Sequence, residues 1–343
     1  MSDHSDARNS VEHAPPPSSP PPLLPIEALD QLCDQGWLRL ALPPDLLAAA
    51  HRLQTLASNF FDQSSTDDKQ KEYLTLRCCT NSSSTSAVEE AAADYWAQTT
   101  NLMINVLADA LSPYLEIPST IWDDVISPPR KRLALPENVT TMPASEADIH
   151  SGTLLRLFRY FPRNDDQHGL NMRGEGDMSG GAGMHTDLGL LTLCIGQRGL
   201  ECFDLSRQQY IDVLDAPAVT VRPIADPSNS CTTYNERDEA PQDQDLGAVL
   251  LLGQTIRGLT HQQLPAGVHR VRPLPATGRE SIVFALRHAF GDIDLRPWGL
   301  GDGKVSAKDL YRWLGVGKVS VNAAAGVRER QLAELARSNG NEE

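Results

Sequence analysis

The chain has 343 residues and a mass of 37.5 kDa, enough for a large domain with a well-buried core. Its 45 acidic and 30 basic residues give a formal net charge of −15. That argues against a nucleic-acid partner, because affinity for a phosphate backbone comes largely from Lys and Arg displacing counterions. No apolar run approaches the roughly 18–20 residues of a membrane helix; the richest stretches are 188–195 and 246–252. The N-terminus lacks the basic start and apolar centre of a signal peptide, so a cytoplasmic protein without a membrane partner is expected. The six cysteines are too sparse for a disulfide scaffold and contain no CxxC pair, so reduced thiols are expected.

In chain order, residues 1–25 hold seven prolines among Ser, Asp and His. This composition predicts a disordered tail. Order is expected from about Ile26. Asp34-Gln-Gly-Trp-Leu-Arg-Leu reads as a turn entering a short strand. A helix is predicted from Pro44, with Leu46, Leu47, Ala50, Leu53, Leu56, Ala57, Phe60 and Phe61 at helical spacing. Thr66-Asp-Asp-Lys-Gln-Lys-Glu reads as a further helix start. Residues 88–115 read as one long helix whose buried stripe is Tyr95, Trp96, Leu102, Val106, Leu107, Ala110 and Leu111.

From about Gly152 short strands take over, beginning with Thr153-Leu-Leu-Arg-Leu-Phe-Arg-Tyr-Phe. Residues 190–195, 200–203, 210–213, 248–252 and 281–286 are further strands, separated by Gly, Pro, Asp and Asn. Such a series predicts a sandwich or jelly roll. Two polar insertions, 164–183 with six glycines and 225–245, interrupt it as long loops. Beyond Ser306 helix is expected again, opened by a box-like Ser306-Ala-Lys-Asp. The expected organisation is a tail (1–25), a mixed helical region (26–150), a β core (151–300) and a helical extension (301–343).

Chemistry concentrates in Met184-His-Thr-Asp-Leu-Gly. His185 and Asp187 are two apart, so on a strand they share a face and can hold adjacent positions of a metal ion. Two histidines and one carboxylate on one face of Fe(II) leave the other positions open. His269, in Gly267-Val-His-Arg-Val, is the best candidate for the third ligand. Arg279 and Ser281 open a strand on one face, and a guanidinium beside a hydroxyl suits the far carboxylate of a dicarboxylic acid. A zinc hydrolase also uses two His and an Asp, but it needs a general base and leaves Arg279 and Ser281 without a role.

The series His185-Thr-Asp187, Leu188-Gly-Leu-Leu-Thr-Leu, His269-Arg-Val and Arg279-x-Ser281 resembles the 2-oxoglutarate- and Fe(II)-dependent dioxygenases, in particular their isopenicillin N synthase-like branch. Leu155-Arg-Leu-Phe-Arg-Tyr160-Phe-Pro resembles the strand that supplies a tyrosine in that family. The segments at 34–40 and 60–71 resemble its N-terminal region, so the likeness spans roughly residues 26–300. The resemblance implies an α+β chain, mainly β with flanking helices, around a double-stranded β-helix (jelly roll) core. It implies His185, Asp187 and His269 as iron ligands, with no catalytic residue beyond them. It implies Arg279, Ser281 and Tyr160 as the 2-oxoglutarate site; alignment on Pro162 instead places Phe161 where Tyr160 stands. With Fe(II), 2-oxoglutarate and O2, a small-molecule substrate would be hydroxylated, desaturated or cyclised, with release of succinate and CO2. Arg159, turned inward, would hold a substrate carboxylate; turned outward, it would form a surface ion pair. A monomer is expected. Two other readings stay open: an Fe(II) oxidase of the same fold that does not use 2-oxoglutarate, and a catalytically silent binding protein.

Overall fold

Two sheets lie face to face, and the alternation of side chains along their strands decides which residues meet between them. The computed structural model describes residues 22–64, 71–79, 86–126, 139–140, 149–161, 182–221, 246–272, 278–288, 292–306 and 309–310. In chain order the strands are β1 (Trp37–Ala41), β2 (Lys71–Cys79), β3 (Val139–Thr140), β4 (Ile149–Tyr160), β5 (Ala182–His185), β6 (Leu191–Gly196), β7 (Leu200–Asp204), β8 (Gln209–Asp212), β9 (Val219–Thr220), β10 (Gly247–Leu252), β11 (His269–Val271), β12 (Arg279–Leu286), β13 (Ile293–Asp294) and β14 (Lys304–Val305). The large sheet has the order β3-β2-β4-β12-β6-β10-β1-β9, and the small sheet β5-β11-β7-β8. Every pairing among these is antiparallel except β1 with β9. This is the jelly roll expected, with helices outside it.

The helices are α1 (Ile26–Gln35), α2 (Pro44–Ser64), α3 (Ala87–Asn105), α4 (Ser112–Tyr114), α5 (Trp122–Val125) and α6 (Gln254–Leu259). Helix α3 starts at a capping box between Ser86 and Glu89 and continues through a π-helical turn, Val106–Leu111, into α4. All seven residues of the predicted stripe are buried. They help form the larger core, where Trp96 and Tyr95 meet the Phe284 ring edge-on at 4.9 and 6.5 Å. Helix α1 has no counterpart in the sequence-based reading; it buries Ala28, Leu32 and Cys33 and ends at Gly36, whose φ of 75° suits glycine.

The helix start expected at Thr66 is corrected in its second half. Residues 71–79 are strand β2, paired along its length with β4; residues 65–70 lie outside the described residues. Tyr73-Leu-Thr-Leu alternates and is rich in strand formers, and the pairing with β4 overrides the helix-forming Lys and Glu before it. Strands β1 and β2, from the N-terminal part of the chain, thus belong to the large sheet. At Ser306 the cap half of the box forms: the Asp309 amide donates to Ser306 Oγ (3.1 Å), and that hydroxyl donates to Asp309 Oδ2 (2.7 Å). The segments 1–21, 164–181, 225–245 and 311–343 lie outside the described residues. No helix among the described residues is long and apolar enough to cross a membrane.

One face of the large sheet packs under the helices. The other carries Phe158, Tyr160, Cys194, Val249 and Leu251 against Ala182, Leu200, Cys202 and Val271 of the small sheet. The cleft lies on this second face.

Candidate metal centre and co-substrate pocket

Strands β5 and β11 are neighbours, and the register sets His185 opposite His269, their ring centroids 4.2 Å apart. Each ring is fixed by a carbonyl two residues back. His185 Nδ1 lies 2.7 Å from the Gly183 carbonyl oxygen, and His269 Nδ1 lies 3.1 Å from that of Gly267. A carbonyl only accepts, so Nδ1 carries the proton in both rings and Nε2 presents its lone pair.

Asp187 follows the end of β5. Its Oδ2 is 3.9 Å from His269 Nε2, is buried, and has no hydrogen-bond partner. Burial alone would push this carboxyl up; His269, His185, the nearby Thr192 hydroxyl and Arg287 more than offset that and hold it below the usual carboxylate range. His185, Asp187 and His269 each offer a ligand atom within 4.8 Å of the others, and no second such group occurs among the described residues. An unpartnered buried carboxylate oxygen beside two imidazole lone pairs fits a first-row divalent metal bound on one face.

The turn carrying Asp187 is held by the start of α6. The Gln254 amide donates to the Asp187 carbonyl (2.8 Å), Gly253 N to Leu190 O (2.9 Å) and Thr255 Oγ1 to Leu188 O (2.6 Å). The Gln254 side chain donates to Thr186 Oγ1 (2.7 Å). At Gly253 a Cβ would fall 1.9 Å from the Gly189 oxygen, so only glycine permits this approach. Sequence reasoning missed these supports, since nothing in 253–255 announces a partner some 65 residues away.

The metal-ligand candidates share a cleft with Tyr160 and Ser281, at the end where Arg279 opens β12. Arg279 stands opposite Tyr160, its Cζ 5.8 Å from the ring centroid. Arg279 is 2% exposed and Ser281 5%. The Arg279 Nε donates to the Gln197 carbonyl (3.1 Å), while both terminal nitrogens are buried without a hydrogen-bond partner. Such a guanidinium is costly to leave unpaired, and the site fits a carboxylate-bearing ligand. Burial pushes the Tyr160 phenol up to about 12 despite the Arg279 charge, so it stays protonated at neutral pH. Of the two alignments, the structure puts Tyr160 in the cleft; Phe161 is not among its lining residues.

Gly196 was also missed. It ends β6 opposite Ser281, and a Cβ there would lie 2.8 Å from an Arg279 terminal nitrogen and 3.0 Å from Ser281 Cβ. The missing side chain is the space the guanidinium occupies. Gly196→Ala is expected to displace Arg279 and weaken 2-oxoglutarate binding about 10-fold, with iron binding kept; titration of both ligands checks this.

Arg159 is not brought to the cleft. It lies one residue off the inward register of Arg156, Phe158 and Tyr160, so it points toward α2. There it donates to Glu280 Oε1 (2.9 Å), Asp62 and the Ser58 carbonyl (3.1 Å). The outward ion pair is thus the reading the structure carries, and the substrate role for Arg159 is corrected. Two arginines that do line the cleft, Arg156 and Arg287, were overlooked. Their signal was parity: Arg156 shares the face of Tyr160, and Arg287 that of Arg279.

No family model matches the chain, and no curated protein does. Among solved structures, a full-length Neurospora crassa protein in complex with alpha-KG aligns over 84% of this chain and 89% of its own, with a TM-score of 0.53 and 16% identity. The same protein with alpha-KG and thymine gives a TM-score of 0.51. A protein from Shewanella oneidensis described as an oxygenase aligns over 85% of this chain and 94% of its own, at 18% identity and a TM-score of 0.50. The fold is that of the 2-oxoglutarate/Fe(II) oxygenases. In this fold the cleft and its His-Asp-His group lie between the two sheets.

Proposed function

We propose that the chain is a non-heme Fe(II), 2-oxoglutarate-dependent dioxygenase of the isopenicillin N synthase-like branch, acting on a small molecule. One observation carries this reading: a buried guanidinium with two unpaired nitrogens stands opposite Tyr160 and two residues from Ser281, and those two line the same cleft as His185, His269 and an Asp187 oxygen without a hydrogen-bond partner. Either group alone is compatible with a purely structural role. Together they match a metal and a dicarboxylate bound at once.

In this reading His185 and His269 bind the metal through Nε2, and Asp187 binds it through Oδ2. Arg279 and Ser281 grip the far carboxylate of 2-oxoglutarate, with the protonated Tyr160 alongside. Bound there, Fe(II) with 2-oxoglutarate and O2 supplies a two-electron oxidation of the substrate, coupled to release of succinate and CO2. The chain's own part is to bind, orient and shield. Leu200, Leu251, Val271 and Val283 give the cleft an apolar wall. The arginines make this cleft positive in a chain of net charge −15, which favours entry of a dianionic co-substrate.

The test is succinate. The iron-loaded chain with 2-oxoglutarate and O2 is expected to form succinate, and the Asp187→Ala variant is not. Substrate oxidation without succinate would make this an oxidase that does not use 2-oxoglutarate. Neither product across a broad substrate screen, with the protein folded, would leave a silent binding protein.

A further inference from the structure

The cleft has a second cationic end. Arg156 lies on β4 opposite Thr75 of β2 and Val283 of β12. Arg287 follows β12, its backbone amide donating to Thr153 Oγ1 (3.0 Å). Both line the cleft together with the apolar Leu154, Val283 and Ala285. The Arg156 Nε has one weak partner, Thr75 Oγ1 at 3.3 Å, and the Arg287 Nε is buried with none. No ion pair holds either guanidinium among the described residues.

These are like charges brought together. Burial first, then the Arg287 and Arg77 charges, pull the Arg156 guanidinium below its ordinary value. A fold gains nothing from crowding unpaired cations, so the arrangement points to a ligand that completes it. That ligand is not the one at Arg279. Arg279 and Arg287 stand eight residues apart along one run of chain, roughly 26 Å at about 3.3 Å per residue. Arg156 sits at the level of Val283, four residues from each, and of the two it is the Arg287 charge that acts on it. One five-carbon diacid does not reach across, and Asp187, which is coupled to both Arg156 and Arg287, belongs to the metal-ligand group.

We propose that Arg156 and Arg287 anchor a carboxylate of the substrate, so that the substrate class is a small organic acid with an apolar body lying along Leu154, Val283 and Ala285. The proposal rests on reading the Arg279 end as the 2-oxoglutarate site, and it makes these two arginines specificity-determining residues.

The experiment is calorimetric titration of the full metal-free chain with benzoate, phenylacetate and cinnamate, each beside its uncharged amide. The expected result is at least one acid bound about 10- to 100-fold tighter than its amide, the range for charge-assisted hydrogen bonds. Arg156→Gln and Arg287→Gln should each remove most of that preference, Arg156→Lys and Arg287→Lys should restore part of it, and Arg279→Leu should leave it in place. The lysine variants keep the test decisive if a glutamine variant fails to fold. Acids that never bind tighter than their amides would overturn the proposal. So would a preference that depends on Arg279 alone. Because no metal is present, the outcome is separate from the oxygenase reading: an intact acid preference in a chain that fails to bind iron would keep the anchor and remove the enzyme.

Discussion

Arg279→Leu is expected to raise the 2-oxoglutarate concentration needed for half-saturation by on the order of 100- to 1,000-fold. Truncating one partner of a buried, hydrogen-bonded charge pair costs about 2–5 kcal/mol, at about 1.4 kcal/mol per tenfold. The ligand's far carboxylate would be left buried with only Ser281 and Tyr160 nearby. Iron affinity should not change, because Arg279 sits beside Tyr160 rather than among the metal-ligand candidates. The free protein should lose little stability. It gives up one hydrogen bond to Gln197 but is relieved of two buried, unpaired nitrogens. Titration of 2-oxoglutarate into iron-loaded protein under anaerobic conditions checks this. Unchanged co-substrate affinity, or equal loss of iron and 2-oxoglutarate, would defeat the assignment.

Asp187→Ala is expected to abolish specific metal binding while changing the stability of the metal-free protein little. Asp187 Oδ2 makes no hydrogen bond without a metal, so its removal strands no donor, and this offsets the loss of its attraction to His269, His185 and Arg287. Fe(II) at about 100 times its dissociation constant should stabilise the wild type by about 2.7 kcal/mol and raise its melting temperature by several degrees. His185→Ala, Asp187→Ala and His269→Ala should each lose that rise. A structural role for the Asp187–His269 pair predicts the reverse: a lower melting temperature without metal, and no dependence on iron. Melting curves with and without Fe(II), recorded anaerobically, separate the two.

Most of the β core was legible because its strands are short apolar runs punctuated by Gly, Pro, Asp and Asn; β6 and β10 are buried at every position. The site was legible because its chemistry sits on period-two spacings: His185 with Asp187, and Arg279 with Ser281. The same periodicity decides between Tyr160 and Phe161 once β4 is paired with β12, and it turns Arg159 outward. Parity within one strand is in the sequence, but its absolute sense is set by the partner strand, so Arg159 and Arg156 were not separable without the sheet. Strand β2 was misread because Lys and Glu lead into it and its stability comes from β4, distant in sequence. The supports of the site, Gly196 and the 253–255 turn, were illegible for a related reason. Their roles are contacts with Arg279 and with the Asp187 turn, made across the sheet and across a turn.

Joint binding of Fe(II) and 2-oxoglutarate in one cleft is tested most directly by loading the protein anaerobically with Fe(II), adding 2-oxoglutarate, and recording the visible spectrum. The expected result is a charge-transfer band that appears only with both ligands, is absent in His185→Ala, and needs far more 2-oxoglutarate in Arg279→Leu. Iron binding without a band at any 2-oxoglutarate concentration, or a band unchanged in His185→Ala, would contradict it.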